Sequence, residues 1–249
     1  MKELQPATRI YSLDLLRGLV MIIMALDHTR DFFHYDAFVH DPLDVKTTSL
    51  FLYFTRWITH FCAPVFVFLA GTSIFLQTFR KSKSELSSFL LKRGLWLIFV
   101  ELVIISFAWT FDLSFSFVIM QVIWAIGISM VFMAGIIRLP FNVILILGAI
   151  IVAGHNVFDY IESTHKGFFW DLTRNGNFAF YSWGDGKQLT IIYPFVPWLG
   201  LMMLGYCFGI FYEPTYGVTN RRKILFRYGV GIIFLFLILR FINEYGNPF

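Results

Sequence analysis

The sequence predicts an all-α, multi-pass bundle of transmembrane helices. It has about seven spans in a single domain over residues 1–249, with a cytoplasmic N-terminus. Three observations carry that prediction. Hydrophobic residues make up 57% and charged residues 14% of the chain, against about 45–50% and about 25% in soluble domains. Mean hydropathy is +0.68. Apolar segments recur along the whole chain, and Lys and Arg gather on one side of them. The net charge of +4 then reports membrane topology. No basic run with interleaved aromatics lies outside the membrane flanks, so nucleic acid is not an expected partner; the lipid bilayer is.

The first apolar segment, 13–33, lies within SLDLLRGLVMIIMALDHTRDFF. A helix needs about 20 mostly apolar residues to cross a bilayer, and this one also carries Asp14, Arg17, Asp27, His28, Arg30 and Asp31. Ionisable groups inside a span are costly and usually face the protein interior. Arg17 and His28 are eleven positions apart. At ~100° per residue both fall on one face, roughly 16 Å apart along the axis. Met21, Met24 and Ala25 lie between them, and Asp31 is one turn beyond. An alternative has these charges simply ending the span at its two interfaces, as snorkelling side chains do. A cleavable signal peptide does not fit, because the run is too long and charged and has no small-residue cleavage site.

The other apolar segments are 56–79, 95–109, 115–137, 141–158, 189–211 and 226–241. The third is short and should form a tight helical hairpin with the fourth. Lys2 and Arg9, the group from Arg80 to Arg93, then Arg138, and Arg221 to Lys223 all fall on one side when the N-terminus is cytoplasmic. That orientation suits a cytoplasmic (inner) membrane. The opposite loops carry only Lys46, Lys166, Arg174 and Lys187.

Those external loops are polar. Residues 34–55 contain His34, His40, Asp36, Asp41 and Asp44; residues 159–188 contain Trp170, Asp171, Arg174, Asn175, Trp183, Gly184 and Asp185. Such a mixture suits a sugar or an ordinary interfacial loop. Inside the spans stand His60, Glu101 and Gln121, each expected to face other helices. Pro64, Pro194 and Pro197 should break the backbone ladder locally. Cys62 and Cys207 lie in apolar segments, with no repeating Cys/His spacing, so neither a disulfide framework nor a metal site is expected. No nucleotide-binding loop or HExxH motif occurs, and the seventh span has no lysine for a retinal Schiff base.

Arg17, ten intervening residues and His28 resemble the R-x10-H pattern of acyltransferase-3-type membrane enzymes. More closely, YSLDLLRGLVMIIMALDHTRDFF with HFCAPVFVFLAGTSIFL is similar to the DUF1624 group. That group includes the heparan-α-glucosaminide N-acetyltransferase catalytic domain and YeiB-like proteins. YPFVPWLGLMMLGYCFG resembles a later segment of the same group. The resemblance covers essentially the whole chain. It implies transfer of an acetyl group from cytoplasmic acetyl-CoA to an acceptor, often a sugar, on the far side. By position, Arg17 would help hold the donor, with Asp14 and Gly18 in the same motif, and His28 would be the catalytic histidine. Some members have Asn in place of His28 and a histidine in the following loop, which makes His34 and His40 alternative carriers. Members usually have more than seven spans, so a domain that is C-terminally incomplete is left open.

The mechanism expected is general-base help from neutral His28, with Asp27 or Asp31 orienting it. An acetyl-histidine intermediate is the other route. His34, His40, His60, Glu101 and Gln121 are the candidates on the acceptor side. Homo-oligomerisation is left open. Two other classes compete: a proton-coupled transporter using Asp27, His28, His60 and Glu101 as a relay, and a structural membrane protein whose polar groups glue helices together.

Overall fold

The structure is a computed structural model, and it describes residues 10–35, 39–44, 46–156, 167–175, 178–184 and 186–245. Lys2, Arg9, Asp36, Lys166 and Asp185, which entered the topology and loop expectations, lie outside the described residues. The chain is mostly helical, as its hydropathy requires.

Helix α1 (Tyr11–Phe33) is the first apolar segment, and only Leu13 and Val20 in it are buried. Helix α2 (Leu50–Thr59) starts before the expected second span, because the Ser49 hydroxyl accepts from the Leu52 N–H at 3.3 Å and caps it. The chain kinks at His60 and Phe61 and continues as α3 (Cys62–Gln77). Pro64 sits in the first turn of α3, where a missing N–H costs nothing. The local break expected from Pro64 thus falls at His60 and Phe61, four and three residues before it. Helix α4 (Lys83–Phe99) opens with a Ser82/Glu85 capping box. It runs through a π-helical turn (Val100–Ile105) into α5 (Ser106–Thr110). The third segment is thus not short; it lies within a continuous helical run whose first turns are polar.

The fourth segment departs from an all-α reading. Its first residues form β1 (Phe117–Met120), and only then does α6 (Val122–Ile136) begin. After α7 (Phe141–Gly154), a short helix α8 (Phe168–Trp170) precedes β2 (Ala179–Gly184) and β3 (Lys187–Ile191). The three strands form one sheet in the order β1-β3-β2. Strand β1 runs parallel to β3 with Phe117 opposite Gln188, and β2 runs antiparallel to it. A short run such as FVIM cannot be told from a helix segment by periodicity. Helix α9 (Phe195–Phe208) follows, with Pro194 as its N-cap and Pro197 in its first turn. These prolines start the helix and do not interrupt it. Helix α10 (Val218–Ile242) has no buried residue.

The core lies between α3, α4, α6, α7 and α9. Val67, Ile74, Leu86, Leu90, Met133, Ile137, Ile144, Met202 and Met203 are its fully buried members. Helices α3 and α9 meet backbone to backbone: a Cβ built on Gly71 would stand 2.0 Å from the Met202 carbonyl, and one on Gly205 would stand 2.1 Å from the Phe68 carbonyl. Close approach through small residues is how helices associate where lipid removes the hydrophobic drive. Three helical runs are long and apolar enough to cross a bilayer: Leu50–Gln77, Phe195–Tyr212 and Val218–Ile242. Val122–Ile136 and Phe141–Gly154 are shorter apolar helices. This is a membrane protein.

Candidate active site

The last two turns of α1 carry most of the clustered charge. Asp27 faces α2. One Arg56 guanidinium nitrogen donates to both its oxygens, at 3.1 and 2.9 Å, and the Thr59 hydroxyl donates at 2.7 Å. Arg30, one turn along α1, adds a contact to Asp27 at 2.7 Å and another to Asp31 at 3.0 Å. Asp31 turns its other oxygen toward His28 Nδ1, 3.8 Å away. The result is a chain of alternating charges, Arg56–Asp27–Arg30–Asp31, that ends beside His28. The His28 side chain is 47% exposed, whereas those of Asp27 and Asp31 are 19% exposed. The imidazole is therefore the reachable end of a mostly buried network. From α5, the Trp109 ring meets His28 edge-on at 6.4 Å and stacks on Phe32 at 4.9 Å.

Arg17 lies at the other end of α1. It contacts Asp14 at 3.3 Å and donates to the Ser73 hydroxyl of α3. Arg17 and Asp14 are both about a third exposed. Because α1 is unbroken, the roughly 16 Å rise between Arg17 and His28 holds. The two do not touch. The face between them is open, with Met21 57% exposed. A Cβ on Gly18 would meet nothing within 4 Å.

The remaining expected residues separate. His60 is exposed and does not face other helices; it ends α2, and its Nδ1 lies 2.9 Å from the Arg56 carbonyl. Gln121 is not in mid-span. It is the N-cap of α6, where β1 hands over to the helix. Glu101 is 1% exposed inside the π-helical turn. One of its oxygens accepts the Trp124 N–H at 2.9 Å and so caps α6; the other has no hydrogen-bond partner among the described residues. His34 ends α1 and stacks on Tyr35, while His40 is exposed in the following turn. Neither is described in contact with His28.

Sequence reasoning missed Arg56, Thr59, Trp109 and Tyr193. Tyr193 interacts electrostatically with Arg56, Asp27, Cys62 and Glu101 and packs its ring 5.1 Å from that of Trp198. Arg56 left one signal, a lone cation in an aromatic-rich helix. Beyond α7, the Tyr181 phenol donates to Asp171, and burial together with that carboxylate pushes it up to about 12. Lys187 lies over the Trp183 ring at 5.1 Å. Among the described residues, no group of three His, Cys, Asp or Glu is placed to hold a metal ion.

Residues 9–238 match the family model described as heparan-alpha-glucosaminide N-acetyltransferase, catalytic. The chain belongs to that family. No curated protein and no solved structure matches it. Membership points to a membrane acetyltransferase, and the family in general takes its acetyl group from acetyl-CoA. Arg17, Asp27, His28, Arg56 and Trp109 all fall inside the matched residues.

Proposed function

We propose that this protein moves an acetyl group from cytoplasmic acetyl-CoA to a sugar or glycan acceptor on the external side of the inner membrane. It crosses the membrane about seven times with its N-terminus in the cytoplasm, and His28 is the general base. The observation that carries this reading is the exposed His28 imidazole at the end of an ion network whose other members are mostly shielded. Asp27 has its oxygens engaged by Arg56, Arg30 and Thr59, so Asp31 is the carboxylate left to face His28.

In this mechanism neutral His28 takes the proton from an acceptor amine or hydroxyl. The acceptor nitrogen or oxygen attacks the thioester carbonyl, the C–S bond breaks, and the CoA thiolate leaves with a proton returned from His28. Arg17, partly exposed at the cytoplasmic end of α1, would hold a CoA phosphate with its guanidinium fork. The rise of roughly 16 Å to His28 suits an extended pantetheine arm.

The test is labelled acetyl-CoA with purified protein and a glycan panel that includes glucosamine. His28→Ala should lower turnover by about 10²–10⁴-fold while acetyl-CoA still protects the fold against heat. Wild-type turnover in that variant would remove His28 from the role. Proton-dependent solute uptake into liposomes without CoA would support a transporter instead.

A further inference from the structure

We infer that Trp109 is a positioning residue that holds the His28 imidazole in working orientation, an inference that rests on His28 being the base. His28 and Phe32 are four positions apart and share a face of α1. Trp109 enters that face from α5. Its ring is nearly parallel to Phe32, at 10°, and inclined to His28 at 61°. Asp31, at 3.8 Å, is beyond hydrogen-bond distance and cannot fix the ring by itself. The stacked Phe32–Trp109 pair is the wall against which the imidazole stops.

Helix α1 needs such a wall. With only Leu13 and Val20 buried, it is held mainly by polar contacts, and those near His28 reach α2 by way of Asp27. Trp109 meets the same end of α1 from α5. Its own position is fixed from behind. Buried Ser106 donates to the Glu101 carbonyl at 3.1 Å and accepts the Ile119 N–H at 3.2 Å. The Glu101 carboxylate is tied to the start of α6. A π-helical turn rotates the helix that follows it relative to an unbroken α-helix, and the rotation set at Val100–Ile105 presents Trp109 to α1. Phe111, at φ 51°, then ends the helix and turns the chain away.

The test uses Trp109→Ala and Trp109→Phe in the full chain, with His28→Ala beside them. Acetyl transfer from labelled acetyl-CoA to glucosamine is measured with kcat and KM separated. Diethyl pyrocarbonate modification of the His28 peptide is timed by mass spectrometry. Trp109→Ala should lower kcat about tenfold or more, as a misplaced catalytic group does, leave the KM for acetyl-CoA unchanged, and speed pyrocarbonate modification of the freed ring. Trp109→Phe, which can still stack on Phe32, should restore most of both. A wild-type modification rate in a folded Trp109→Ala protein would overturn the positioning role whatever the acceptor. Normal turnover in His28→Ala would overturn the general-base reading instead, so the two failures are distinguishable.

Discussion

Arg56 grips both oxygens of Asp27 with a single guanidinium nitrogen, at 3.1 and 2.9 Å, across the gap between α1 and α2. Thr59 and Arg30 complete the shell. A carboxylate so fully engaged is a poor base and a good anchor. Removing one partner leaves a mostly buried charge short of hydrogen bonds. Asp27→Asn and Arg56→Gln should each destabilise the folded protein by about 1–3 kcal/mol. The double variant should be milder than the sum by about 0.5–3 kcal/mol. Unfolding in detergent of all four proteins measures the coupling, and strict additivity would show that the pair is not energetically joined.

The contact between α3 and α9 predicts a sharp contrast among glycines. Gly71 and Gly205 face backbone carbonyls at distances no Cβ tolerates. Gly71→Ala and Gly205→Ala should each cost about 1–3 kcal/mol through overpacking. Gly229 on α10 has nothing within 4 Å, and Gly229→Ala should instead gain about 0.5–1 kcal/mol from helix propensity. Thermal unfolding of the three variants in one detergent checks the ranking. Equal effects would mean that α3 and α9 are not in backbone contact.

How much of this was legible in sequence follows from range. The α1 segment was readable because hydropathy, length and charge spacing are all local. The family resemblance was readable for the same reason, from three continuous segments. The sheet was not: Phe117–Met120 is apolar like a span, and its partner Lys187–Ile191 lies far along the chain. Asp27 stood out as a charge within a span, but its saturation by Arg56 and Thr59 depends on how α2 docks. Nothing local to the sequence singled out Trp109, which α5 brings against His28. Prolines act by position: the break expected near Pro64 falls at His60 and Phe61, whereas Pro194 and Pro197 start α9 and do not interrupt it.

Glu101 tests whether a buried carboxylate serves as a cap or through its charge. Its structural task is to accept the Trp124 N–H at the start of α6, and a glutamine carbonyl can do the same. Glu101→Gln should retain stability near wild type, whereas Glu101→Leu should lose about 0.5–2 kcal/mol, the usual range for a lost cap. Unfolding curves decide this. If Glu101→Gln is as unstable as Glu101→Leu, the negative charge itself is required at the helix end.

Asp112 makes a pH prediction in the turn that leaves α5. Its carboxylate accepts the Ser114 N–H at 2.8 Å and the Ser114 hydroxyl at 2.6 Å, and also the Ser116 N–H at 2.9 Å. The side-chain bonds from Ser114 and Ser116, followed by the backbone ones, hold its carboxyl well below the usual carboxylate range. A group depressed in the folded state stabilises the fold above its unfolded value, about 3.9, and that contribution fades as pH falls toward the folded value. Asp112→Asn should therefore unfold at a lower temperature than wild type at pH 7, with the difference shrinking once the pH drops below about 4. Because Asp112 turns the chain just beyond Trp109, the same variant reports how firmly α5 is held. A gap in unfolding temperature that stays constant from neutral pH into acid would show that the turn depends on side-chain shape and not on the carboxylate charge.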